Sequence, residues 1–251
     1  MHFHLPAQSD RNLCYQNSSV YDSSLSSILW KDKISYLHGL TVDLETLHKL
    51  GYCHKDLHSG NILINCLTTY LSDFGLSRPA DEQKSDKVYG VLPYVAPEVL
   101  NREPYTKASD IYSFGILMTE VSSGKPPFYD KKHDYSLSLA ICNGLRPEFG
   151  EGTPEFYKKL AYRCMDANPN QRPTASKLKN IFDFWYDSID SKYESYRNDK
   201  KCEYYGRDIK KAFGEADKET PNISTSYKKD SGAVYTSRAL PLITSYLEGI
   251  I

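Results

Sequence analysis

The sequence contains no run of about eighteen consecutive apolar residues, and its first ten residues carry no basic stretch followed by an apolar one. Neither a membrane span nor a secretory leader is expected. Charge of one sign is missing as well. The 31 Lys and Arg residues stand against 32 Asp and Glu, so no field arises that would draw nucleic acid or a membrane surface. The six cysteines, Cys14, Cys53, Cys66, Cys142, Cys164 and Cys202, form no C-x-x-C pair and no metal-ligand spacing with histidine. That usage fits a reduced, cytoplasmic setting. Glycine is scarce in the first part of the chain, where only Gly39 and Gly51 precede residue 54.

What is present is the composition of a globular protein, with 40% hydrophobic and 25% charged residues over 251 positions. Residues 1–28 are rich in Ser, Asn, Gln and Asp without a sustained period, and are expected to be a disordered leader. From Trp30 to Leu50, Ile34, Leu37, Leu40, Leu44 and Leu47 recur at three- and four-residue steps, which predicts a buried helix that Gly51 ends. Two short apolar runs, Asn61 to Cys66 and Thr69 to Leu71, read as a small hairpin. Asp110 to Val121 is apolar nearly all round, as a central helix would be, with Gly124 placed to cap it. Thr153 and Pro154 predict an N-cap and first-turn proline for a helix burying Phe156, Leu160 and Cys164, and Thr174 opens another carrying Leu178, Phe182 and Trp185. Residues 189–251, rich in charge, Ser, Thr and Tyr, are expected to form a poorly ordered tail. No internal repeat is present.

The chemistry is concentrated in His54-Lys55-Asp56-Leu57-His58-Ser59-Gly60-Asn61, followed by Asp73-Phe74-Gly75 and later by Ala96-Pro97-Glu98. These three motifs, in this order and spacing, resemble the signature set of eukaryotic protein kinases. Asp110-Ile111-Tyr112-Ser113-Phe114-Gly115 resembles the start of that family's central helix, and Asn168-Pro169-Asn170-Gln171-Arg172-Pro173 its late arginine motif. The resemblance spans roughly residues 30–186. It implies a mainly α fold over residues 29–188, the family's C-lobe, a helical bundle with a small β-hairpin at the catalytic cleft. It also implies ATP and Mg2+ as cofactors and a protein substrate or docking partner. Carried over by residue, Asp56 would orient or deprotonate the acceptor hydroxyl, and Asn61 and Asp73 would hold magnesium. Phe74 and Gly75 would complete the nucleotide-side loop, and Leu63 would lie under the adenine. His54 and Asp110 would anchor the catalytic loop, and Glu98 and Arg172 would form a short bidentate ion pair.

The sequence also departs from the family pattern. Lys55 replaces the usual arginine, keeping the charge without the fork. His58 stands where serine/threonine members place a lysine, and Gly60 where tyrosine members have an arginine nearby, so a cation for the transferred phosphate is missing unless His58 is protonated. Val91 replaces a threonine, whereas Pro93-Tyr94 resembles the tyrosine-kinase-like group. Finally, no Gly-rich loop and no V-A-I-K lysine precede His54. The expectation is a large lobe without a recognisable small N-lobe, weak or inactive alone and able to use ATP only where that lobe is supplied. The alternative is a kinase-derived pseudoenzyme that serves as a protein-binding scaffold.

Overall fold

The computed structural model describes residues 28–65, 68–79, 88–190, 200–201, 204–220 and 226–240. The leader expected over residues 1–28 lies outside the described residues except for Ile28. The described part is mainly α, and its strands form two-stranded sheets only.

The first helix, α1 (Trp30–Lys49), buries Ile34, Leu37, Leu40 and Leu44 on one stripe. It stops where Gly51, at φ +85°, donates its N–H to the His48 carbonyl, a backbone that glycine adopts without penalty. Strand β1 (Tyr52–Cys53) leads to the loop of interest, and β2 (Ile62–Asn65) pairs antiparallel with β3 (Thr68–Leu71), Leu63 lying opposite Tyr70. Asp43 on α1 holds this hairpin by accepting the Leu71 N–H at 2.9 Å. Short strands β4 (Arg78–Pro79) and β5 (Tyr89–Gly90) follow, then the single-turn α2 (Pro97–Leu100).

The central helix is α3 (Lys107–Ser123), in which every residue from Ser109 to Ser122 is buried. A capping box between Thr106 and Ser109 starts it, and Gly124 at φ +66° ends it. Around it lie α4 (Tyr135–Cys142), α5 (Glu155–Cys164) and α6 (Ala175–Ile189). The Tyr157 hydroxyl on α5 donates to the Met118 carbonyl at 2.8 Å, and Phe114 meets Phe182 edge to face at 5.6 Å. The long partner of α1 is α6 rather than α3. His38 explains the pairing, since it bonds Asp183 at 2.7 Å and stacks on Tyr186 at 5.3 Å.

Two expectations need correction. Pro154, not Thr153, occupies the N-cap position of α5, because the Thr153 hydroxyl is spent on the Gly150 carbonyl at 2.6 Å. The tail reading fails for residues 204–220 and 226–240. After β6 (Lys200–Lys201) and β7 (Tyr204–Tyr205), α7 (Gly206–Glu219) turns Ile209, Phe213 and Ala216 inward at helical spacing. Phe213 packs against Trp30 at 5.2 Å and Phe156 at 5.1 Å, and burial of such a ring contributes about 1.5–3 kcal/mol. Asp217 accepts the Trp30 N–H at 2.7 Å, which supplies the cap that Leu29 cannot give α1. The average composition of the tail hides this one amphipathic stretch. The last element, β8 (Arg238–Ala239), pairs antiparallel with β5.

Candidate active site

The loop from His54 to Asn61 hangs from the first turn of α3. Asp110 accepts the His54 N–H at 2.8 Å on one oxygen and the Lys55 N–H at 3.0 Å on the other, and His48 Nε2 adds a contact at 2.9 Å. With 1% exposure, this carboxylate has its charge met by donors and by the positive end of its helix. The anchor offsets a local cost. Lys55 sits at φ +70°, a left-handed conformation that costs a non-glycine residue roughly 1–2 kcal/mol.

His54 joins this loop to the next. Its Nε2 donates to the Ser72 carbonyl at 3.0 Å, and its Nδ1 accepts the Asp56 N–H at 3.3 Å. Ser72 returns two bonds to the Asn61 carbonyl, from its N–H at 2.9 Å and its hydroxyl at 2.8 Å. The Asp73 backbone, at φ +56°, then turns so that Oδ1 accepts the Gly75 N–H at 3.2 Å while the side chain faces solvent. Phe74, half exposed, leans on the His54 ring at 5.3 Å. Leu63 is exposed on the hairpin, so it is not simple core.

Asp56 is buried beside Asn61, whose Nδ2 donates to the Asp56 carbonyl at 2.9 Å and approaches Oδ2 at 3.4 Å. Occupying the amide nitrogen in this way leaves Asn61 Oδ1 as the atom available to a metal. Burial pushes the Asp56 carboxyl upward, but the neighbouring His58 and His54 imidazoles and the Ser237 side chain together outweigh it. The carboxyl therefore stays below its ordinary range and ionised.

His58 and Gly60 form a single feature. The His58 Nδ1 accepts the Gly60 N–H at 3.1 Å, and a Cβ at position 60 would meet the imidazole at 2.8–2.9 Å. An Nδ1 that accepts carries no proton, so the buried ring is held as the neutral tautomer with Nε2–H toward Asp56 Oδ2, 3.7 Å away. The geometry thus gives His58 a role beside Asp56 rather than that of a substitute lysine.

Asn61 and Asp73 offer two hard oxygen donors, a set that suits magnesium, which keeps several waters and takes its other ligands from phosphates. Among the described residues no cluster of three or more His, Cys, Asp or Glu could hold a metal by itself. Below the site, Arg172 meets Glu98 through two contacts of 2.7 Å across 74 positions. Its remaining donors reach the Ala108 and Asp166 carbonyls, both at 2.9 Å, and its plane lies over Tyr112. Sequence reading did not single out Ser72, His48, Asp43 or Ser237. Each acts through its contacts with another segment, for which no local pattern exists.

A pH effect follows from His54. Burial lowers its pKa, against the opposing pull of Asp110, the Ser72 carbonyl and Asp56. The unfolded value is about 6.5, so the folded state binds fewer protons below it. The contribution is full above about 6.5 and is lost as pH falls toward the depressed folded value. The urea midpoint should fall between about pH 7 and pH 5.5. His54→Gln should flatten that dependence, and an unchanged slope would contradict the assignment.

A protein kinase domain model matches residues 18–182 of the chain. A probable serine/threonine-protein kinase of Dictyostelium discoideum is 32% identical over 151 residues, covering 59% of this chain and 9% of that protein. Another probable serine/threonine-protein kinase of the same organism is 34% identical over 169 residues, covering 63% of this chain and 9% of its own length. A protein kinase and PP2C-like domain-containing protein of Arabidopsis thaliana is 28% identical over 193 residues, covering 62% and 29%. The chain spans only 9–10% of the length of the first of these relatives.

Proposed function

The chain belongs to the protein kinase domain family, and from that premise we propose that it provides the catalytic loop of an ATP:protein phosphotransferase. The observation that carries the reading is the linked set Asp56, Asn61 and Ser72-Asp73, joined by hydrogen bonds through His54 and the Asn61 carbonyl. Asp56, kept ionised and buried, is suited to orient an acceptor hydroxyl and take its proton. The Asn61 amide and the Asp73 carboxylate are suited to magnesium, which when bound to the nucleotide phosphates offsets the charge of the transferred group. His58 keeps Asp56 charged, and Asp110 holds the loop in the shape that both need.

Serine or threonine is the proposed acceptor, on the printed names of the relatives, with tyrosine-kinase-like character at Pro93-Tyr94. Cys53, Cys142 and Cys164 are free thiols, which suits a cytoplasmic setting. Among the described residues no helix is long and apolar enough to cross a membrane.

The phosphate grip is a separate matter. Among the described residues no sheet exceeds two strands, and the sequence ahead of His54 contains no Gly-rich loop. A second reading is a kinase-derived scaffold that docks proteins without turnover, favoured by the His58 imidazole standing beside Asp56 in place of a permanent cation. Magnesium-dependent nucleotide binding by the 251-residue chain separates the two. Under the enzyme reading calorimetry gives binding that needs magnesium and weakens sharply in Asp73→Ala. Absence of binding, or binding indifferent to both metal and Asp73, favours the scaffold.

A further inference from the structure

The segment after α7 crosses the face of the molecule that carries Asp56. The Asp230 N–H donates to the Tyr129 carbonyl at 2.8 Å, and the His133 N–H to the Gly232 carbonyl at 3.0 Å. The Tyr235 hydroxyl reaches the Pro127 carbonyl at 2.9 Å, while its ring meets His133 edge to face at 4.8 Å. The chain then extends. Arg238 pairs with Gly90 and Ala239 with Tyr89, and the Leu240 N–H donates to the Val88 carbonyl at 2.8 Å. The Arg238 guanidinium bonds the His133 carbonyl at 2.8 Å, and Leu240 is buried.

This register brings the segment to the catalytic aspartate. A Cβ at Gly90 would lie 3.5 Å from Asp56 Oδ1 and 3.1 Å from a Val95 methyl, so glycine here lets β5 run close against the carboxylate. Ser237 is the chain neighbour of the residue paired with Gly90, so the register sets it beside the stretch of β5 that runs against Asp56. Ser237, Arg238 and Ala239 are exposed, so main-chain pairing, one guanidinium bond and the Leu240 anchor fix them rather than a packed core.

We propose that Ser237-Arg238-Ala239-Leu240 is an internal ligand of the acceptor groove, with the Ser237 hydroxyl in the acceptor's place, so that the C-terminal segment competes with protein acceptors of the same pattern. That pattern is an extended peptide in which a hydroxyl residue is followed by a basic one, a small one and an aliphatic one. The inference rests on the reading that Asp56 faces an acceptor hydroxyl. Each recognition element has a chemical match: the Asp56 carboxylate for the hydroxyl, the His133 carbonyl for the guanidinium, the Val88–Gly90 edge for the peptide backbone, and a buried pocket for leucine.

The test is fluorescence anisotropy of a labelled synthetic peptide with the sequence of residues 231–241, added without nucleotide to the full chain. A groove filled in cis about nine-tenths of the time weakens a competing peptide about ten-fold. Leu240→Pro removes both the N–H and the anchor. Arg238→Glu alters an exposed side chain and leaves the core untouched. Both variants are expected to bind the peptide about ten-fold more tightly than the wild-type chain. Equal binding by all three proteins, or binding by none, overturns the proposal. Because this assay needs neither magnesium nor transfer, its failure is distinct from failure of the phosphotransferase reading, which shows instead as transfer indifferent to Asp56.

Discussion

Arg172→Ala is expected to lower stability by about 3–5 kcal/mol, the range for removing one partner of a buried ion pair. The guanidinium donates to both Glu98 oxygens at 2.7 Å and to the Ala108 and Asp166 carbonyls at 2.9 Å. Its side chain is fully buried and that of Glu98 is 11% exposed. Alanine therefore takes both charged donors from a carboxylate and one donor from each of two carbonyls, and it removes the plane that covers Tyr112. The Ser109 hydroxyl, at 3.0 Å from Glu98, cannot replace two charged bonds. At roughly 2–4 °C per kcal/mol for a domain of this size, the thermal midpoint should drop by about 10 °C. Arg172→Lys should lose a large part of the same stability, since an ammonium cannot reach both oxygens and both carbonyls. Replacing both members, Glu98→Leu with Arg172→Met, should recover part of it. A midpoint unchanged in Arg172→Ala would mean that the pair does not tie α2 to the loop before α6.

Legibility differed by the range of the interaction. The helix at Trp30, the hairpin, the central helix with its Gly124 cap and the start of α6 at Thr174 were all readable, because each rests on periodicity or capping within a few residues. The Glu98–Arg172 contact and the Asp110 anchor were readable only through family resemblance, since nothing local ties residue 98 to 172 or 110 to 54. The neutral state of His58 was not readable. It depends on which ring nitrogen meets the Gly60 N–H, a matter of χ angles rather than residue type. Likewise α7 was obscured by its polar surroundings, and its docking depends on an aromatic cluster assembled from Trp30, Phe156 and Trp185. Ser237 gave no sequence signal at all, because its meaning comes from a strand register set 148 positions away, between Gly90 and Arg238.

The largest effect on chemistry should come from Asp56. Its carboxylate is the group that the Asn61 amide and the His58 imidazole surround, and the Gly90 backbone runs close against it. A positioned general base contributes about 10²–10⁴-fold to a rate. Asp56→Asn keeps the shape and the contacts to Asn61 while removing the charge, so it separates proton transfer from loop folding. The decisive measurement is magnesium-dependent transfer of the ATP γ-phosphate to an arrayed library of Ser, Thr and Tyr peptides by the full-length protein, wild type against Asp56→Asn. The expected result is transfer to hydroxyl peptides that falls by about 10²–10⁴-fold in the variant. Transfer that proceeds equally well without the Asp56 carboxylate would contradict the assignment of this loop as the catalytic one.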